Sequence, residues 1–131
     1  MREILFRGKR ADTGDWVKGF YIQKPNPFSE DGKPIRHCII DLFPFGHDVD
    51  PETVGQFTGL LDKNGNQIFE GDVVEYREYG NLAVVWDDGA FQLMREYTFY
   101  DMLDHYTTVF SVVIGNIHDN PELLEEVSVN A

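Results

Sequence analysis

Three short apolar segments set close together constrain this fold more than any other feature of the sequence. Val73 to Tyr79, Leu82 to Asp87 and Ala90 to Arg95 are separated only by Tyr79-Gly80-Asn81 and Asp87-Asp88-Gly89. Each segment is too short for a stable helix, and each is rich in the β-branched and aromatic residues that suit a pleated surface. The Gly, Asn and Asp residues between them suit tight reversals. Strands joined by such short turns form a meander, and this spacing predicts a small barrel or a curled antiparallel sheet. Just upstream, Glu70-Gly71-Asp72-Val73 places a bend ahead of a β-branched run. Small SH3-like barrels open a strand in a comparable way, which bears on fold and not on function, since such barrels bind peptides, nucleic acid or nothing.

The rest of the chain reads as mainly β with short helices. Ile4 to Phe6 is predicted as a strand, Asp12-Thr13-Gly14-Asp15 as a turn, and Trp16 to Gln23 as the returning strand of an N-terminal hairpin. Lys24 to Pro34 has the prolines and polar residues of a loop, and Ile35 to Phe43 reads as a third strand. At Asp50-Pro51-Glu52 an N-cap carboxylate precedes a proline suited to the first helical position; Gly55 and Gly59 then limit the helix to one turn before an extended QFTGL. Asp62 to Asn66 is a tight turn with Gly65 at its centre. Phe99, Met102, Leu103 and Tyr106 follow helical spacing, which predicts a short helix over 97–106. Val109 to Ile117 is a final strand, and Asn120-Pro121-Glu122 opens a C-terminal helix to about Val127, with Glu122, Glu125 and Glu126 near its positive end. The expected subdivision is an N-terminal β region at 1–60, a barrel part at 61–118 and a helix and tail at 119–131.

Composition narrows the functional classes. The 131 residues amount to about one domain and can bury a core. With 42% hydrophobic and 26% charged residues, the chain has the makeup of a soluble globular protein. No apolar run is long enough to cross a membrane as a helix, and MREILFRGKR lacks the apolar stretch of a secretory signal. The expected setting is therefore a reducing cytoplasm, with the single cysteine, Cys38, buried as an inert thiol in the run HCII. The net charge of −12 is uneven: residues 1–36 hold eight of the eleven basic residues and only five of the 23 acidic ones. An acidic body repels nucleic acid, whose binding rests on Lys and Arg neutralising phosphates. Arg7, Lys9 and Arg10 are either a local basic patch or a solvated turn.

No constellation specifies a reaction. Asp62, Asn64 and Asn66 have the first, third and fifth oxygen positions of a calcium loop, but its sixth place is Gln67 instead of Gly and its twelfth is Val73 instead of an acid. His37, Asp41, His47, Asp48 and Asp50 are potential ligands for a divalent ion, without HxH, HExxH or CxxC spacing. Asp101, Asp104 and His105, beside Tyr97 and Tyr100, pair carboxylate with imidazole as acid–base catalysis requires, yet Thr58 and Ser111 lack the setting of a nucleophile. No glycine-rich nucleotide loop is present.

Several blocks taken together resemble the YopX family of phage and prophage proteins. They are Ile4-Leu5-Phe6-Arg7-Gly8-Lys9, Thr13-Gly14-x-Trp16-Val17-x-Gly19-Phe20-Tyr21, and Val49 to Leu60. Asp62-Lys63-Asn64-Gly65, Ile68 to Val74, Ala83-Val84-Val85-Trp86 and Val113 to Leu124 complete the series in the same order. Residues 24–34 and 96–108 match nothing in it. The resemblance implies a bacterial phage or prophage origin and a mostly β fold with an SH3-like part, and it carries over no catalytic residue and no cofactor.

The expectation is a non-enzymatic accessory protein that works by protein contacts, without a membrane partner, as a homo-oligomer or with a host or phage protein. Arg7, Lys9, Arg10, Trp16 and Trp86 are the candidate interaction residues, with no catalytic, cofactor-binding or metal residue assigned. The alternatives are weak DNA binding by the N-terminal basic patch, DNA mimicry by the acidic body, and a metal-dependent hydrolase built on the His and Asp residues.

Overall fold

The structure, a computed structural model, describes residues 3–125. The fold is mainly β, with two antiparallel sheets, and the chain divides into two compact units, Met1–Phe57 and Thr58–Ala131.

In the first unit the strands are β1 (Phe6–Lys9), β2 (Trp16–Pro25), β3 (Ile35–Leu42), β4 (Phe45–Asp48) and the opening of β5 (Gly55–Leu61), in the spatial order β4-β3-β2-β1-β5. The N-terminal hairpin is present, with Arg7 opposite Lys18 and Lys9 opposite Trp16, but β1 begins at Phe6, so Ile4 lies before it and is exposed. β2 runs two residues further than expected, to Pro25, where it pairs with Ile35. β4 has no counterpart in the sequence reading. Gly19 is a packing requirement: a Cβ there would sit 2.0 Å from the Ile40 carbonyl oxygen, so only glycine lets β2 and β3 come this close. The expected cap at Asp50 forms. Its carboxylate accepts from Glu52 N at 3.1 Å and starts a single 3-10 turn, Pro51–Thr53, while Thr53 Oγ1 accepts from Lys9 N and donates to Asp50 O. Buried here are Cys38, Ile39, Val49, Thr53 and Phe57.

β5 continues without interruption into the second unit, where it lies beside β6 (Gln67–Phe69). The other strands of that unit are β7 (Asp72–Tyr76), β8 (Asn81–Asp87), β9 (Ala90–Arg95), β10 (Thr98–Met102) and β11 (Ser111–Asn116). They form one sheet in the order β10-β9-β8-β7-β11, which contains the expected meander. The sheet is open: β10 and β11 are its two edges and do not pair, so the second unit is not a closed barrel. Its core is Ile68, Val74, Tyr76, Leu82, Val84, Leu93 and Leu103. Gly71, at φ +91°, makes the bend that lets the Asp72 carboxylate accept from Phe69 N at 2.7 Å.

The helix expected over 97–106 is a strand instead. β10 pairs with β9 across the two-residue turn Glu96-Tyr97, and only then does a short helix α1 (His105–Thr108) form, capped by Asp104. Of the four residues that suggested the helix, only Leu103 is buried, so their spacing did not mark a core-facing stripe. The strand expected over Val73–Tyr79 ends at Tyr76 and passes into a 3-10 turn at Arg77–Tyr79. Near the C-terminus Asn120 makes no side-chain cap. A 3-10 turn, Pro121–Leu124, replaces the expected helix, and Asn120 Oδ1 accepts from Asn116 N. The rest of that predicted helix, from Glu126, lies outside the described residues.

Candidate interaction surfaces

The turn between β3 and β4 carries four consecutive apolar residues, Leu42-Phe43-Pro44-Phe45, across a cis Phe43–Pro44 peptide. Leu42 and Phe45 face each other in the register, and Leu42, Phe43 and Phe45 are 70%, 84% and 67% exposed. A fully buried Phe or Leu gains about 1.5–3 kcal/mol over an exposed one, so a chain that leaves three of them in water at one turn forgoes a gain that a partner can supply.

A second surface follows from register. Arg7 pairs with Lys18 and Lys9 with Trp16; Phe20 pairs with Ile40, Ile22 with Cys38 and Lys24 with Arg36. Paired residues share a face, and so do residues two apart. One face therefore carries every Lys and Arg of β1, β2 and β3, together with Trp16 and Phe20. The opposite face of these three strands carries none. The expected patch of Arg7, Lys9 and Arg10 is thus assembled differently. The Arg7 guanidinium lies 4.7 Å and the Lys9 ammonium 5.8 Å from the centre of the Trp16 ring, whereas Arg10 beyond the strand end is held by Asp12 at 2.8 Å. That bond raises the Arg10 pKa and lowers that of Asp12. Lys18, Phe20, Lys24 and Arg36 are the exposed members of the face, and Asp48 beside them holds Arg36 at 2.7 Å. These four residues escape a linear reading because only the pairing of β1, β2 and β3 brings them to one side.

The remaining candidates are dispersed into separate jobs. His37 Nδ1 meets the Tyr21 hydroxyl at 2.6 Å, and His47 Nε2 meets Asp41 at 3.1 Å. Asp48 accepts from Arg36 and from the Cys38 thiol at 3.2 Å. Burial works to raise the Asp48 pKa, but these donors hold it below the ordinary carboxylate value. Burial, and then Asp48, push the Cys38 thiol up, away from the reactive thiolate. Among the described residues, no group of three or more His, Cys, Asp or Glu is placed to hold a metal ion.

In the second unit Asp62 is buried and takes only N–H donors, from the backbones of Asn64, Asn66 and Val113 and from the Asn66 amide. Burial alone raises its pKa, and the four donors outweigh burial and hold the group below its ordinary value of 3.8. The supposed calcium loop is therefore a hairpin turn built around an anion. Asp101 accepts from the Tyr76 hydroxyl at 2.9 Å, Asp104 caps α1, and Tyr100 accepts from Arg95. Thr58 and Ser111 donate to the backbone carbonyls of Ile68 and Thr107. Trp86 is half exposed at the end of β8 and meets Phe91 edge-on at 4.8 Å. A cleft of about 410 Å³ is lined by Leu60, Leu61, Asp62, Lys63, His105 and Thr108, among others.

Among the described residues, no helix is long and apolar enough to cross a membrane. The family model described as YopX protein matches residues 5–125. The crystal structure of protein EF1440 from Enterococcus faecalis is similar to this chain, with a TM-score of 0.55 and 25% identity over 95% of this chain and 100% of that one. No curated protein matches the chain.

Proposed function

The chain belongs to the YopX family, and from that premise we propose that it is a non-enzymatic accessory protein of a phage or prophage, acting in the cytoplasm by protein contact and self-association. The observation that carries the contact reading is the apolar turn Leu42-Phe43-Pro44-Phe45, presented to solvent at the end of a hairpin. Aromatic anchors of this kind dominate binding energy when they enter a pocket. The favoured occupant of that contact is a second copy. The first unit is nearly balanced, with eight basic and nine acidic residues, and the second strongly acidic, with three and fourteen, so a contact between unlike units of two copies avoids the repulsion that two acidic units would meet. Association between unlike surfaces is head-to-tail. The phage or prophage setting is taken from family membership alone.

Light scattering coupled to size exclusion, run at low and high salt, tests this. The wild type is expected to exceed the monomer mass, and the double variant Phe43→Ser/Phe45→Ser to run as a monomer with an unchanged melting temperature. A wild type that is monomeric at both salt concentrations overturns self-association.

A further inference from the structure

We propose that the basic and aromatic face of β1, β2 and β3 binds single-stranded nucleic acid, with Phe20 as a base-stacking ring and Lys18 and Lys24 as phosphate contacts. This goes beyond the protein-contact reading and uses none of the residues of the apolar turn.

The argument begins with sorting. All five Lys and Arg residues of these three strands, Arg7, Lys9, Lys18, Lys24 and Arg36, fall on the same side of the regular registers. The acidic residue that joins them from β4 is Asp48, which pairs opposite Cys38. A chain with a net charge of −12 thus concentrates positive charge on one patch of one sheet. The acidic residues of the chain weigh on that patch only at short range, because the Debye length at physiological salt is about 8 Å.

The aromatic component separates this surface from a merely charged one. Binding of single strands combines a positive track for the backbone with rings on which bases stack. Phe20 lies between Lys18 and Ile22 on the strand, pairs with Ile40 and is 69% exposed. An apolar ring held that far out among cations has little to gain from its own fold. Trp16 has a different role, because Arg7 and Lys9 already stand over its ring. It braces the edge of the patch and leaves Phe20 as the open platform. From Trp16 to Lys24 the strand spans about 26 Å at roughly 3.3 Å per residue, which is long enough for about four nucleotides, the lower end of the range for such sites. An exposed ring in the middle of the track favours single strands, whose bases are free to unstack, over a paired duplex.

The test is fluorescence anisotropy of a labelled fifteen-residue oligothymidylate titrated with the full chain, carried out in the Phe43→Ser/Phe45→Ser background so that self-association does not intervene. Binding is expected at 20 mM salt. If two phosphates are neutralised, it should weaken about sevenfold between 50 and 200 mM. Lys18→Glu/Lys24→Glu should reduce affinity at least tenfold. Phe20→Ala should reduce it about fivefold or more while leaving binding of inorganic polyphosphate unchanged. Melting temperatures check that each variant is folded. Absence of binding at 20 mM salt overturns the proposal, as does wild-type affinity in the double-charge variant. If Phe20→Ala has no effect and polyphosphate competes as well as the oligonucleotide, the face is a general polyanion surface and the assignment to nucleic acid fails.

Discussion

The two units use similar strands for opposite ends. In the second unit, apolar residues go inward: Ile68, Val74, Leu82 and Leu93 are fully buried, and polar side chains such as Asp62, Asp72 and Ser111 are spent on backbone groups. In the first unit the buried apolar set is smaller, and Phe20, Leu42, Phe43 and Phe45 face water. Net charge divides the same way, close to balance in the first unit and strongly acidic in the second. The difference teaches where to look for each property. Burial and hydrogen bonding are most fully satisfied in the second unit, and apolar and charged side chains stay on display in the first.

The sharpest way to break this comparison is to delete mass from each side. Leu93→Ala removes a fully buried side chain in contact with the core and is expected to cost about 2–5 kcal/mol, read by urea denaturation. The solvent-facing Phe43→Ser/Phe45→Ser pair should leave the same denaturation midpoint nearly unmoved. A midpoint shift of similar size in both would show that the apolar turn is structural.

A smaller effect comes from Asp62. Its carboxylate is held ionised in the folded chain by N–H donors, so its folded pKa lies below its unfolded one. The stability it contributes is then complete above about pH 4 and is lost as pH falls through the folded value. Replacement by Asn places an N–H₂ group among N–H donors, and a cost of about 1–3 kcal/mol at pH 7 is expected. The variant should also lose this part of the acid sensitivity. Melting curves from pH 7 to pH 2 on both proteins measure it, and parallel pH profiles would remove Asp62 as the cause.

The smallest effect separates two hairpin turns of the second unit. Asp88-Gly89 and Glu96-Tyr97 each link paired strands with two residues, and all four residues have positive φ. The first turn has the residues such a turn favours; the second has two that resist it, with Tyr97 fully exposed at φ +66°. Replacing Glu96-Tyr97 by Asn-Gly should therefore raise stability by about 1 kcal/mol. A loss of stability on that exchange would mean that Tyr97 makes a contact worth more than its strain.

These two turns also show what was legible in the sequence. The meander was readable because Gly80 and Asp88-Gly89 are ordinary reversal residues, and the Asp50 cap because carboxylate and proline stand in the usual places. Glu96-Tyr97 carries no turn signal, so β10 vanished into an apparent helical spacing that edge pairing with β9 overrides. β4 was hidden because the reversal at Phe43-Pro44 sits inside a run of apolar residues and the nearest glycine, Gly46, falls within the strand itself. The basic and aromatic face of the first sheet was half visible. Arg7, Lys9 and Trp16 stand close together along the chain, but Lys18, Phe20, Lys24 and Arg36 join them only through cross-strand register. Charge counted along a sequence mixes both faces of a strand, whereas the sheet separates them. The potential metal ligands were misleading for the converse reason: His37 and His47 lie near acids in sequence yet settle on Tyr21 and Asp41 separately.

One strand bears on how such a chain is inherited. β5, Gly55–Leu61, runs through the point where the first unit gives way to the second. A genetic exchange at that point would join half of this strand from one parent to the other half from another, so both sheets' pairings would have to tolerate a hybrid strand. The division that looks like a natural seam is therefore a poor place for shuffling.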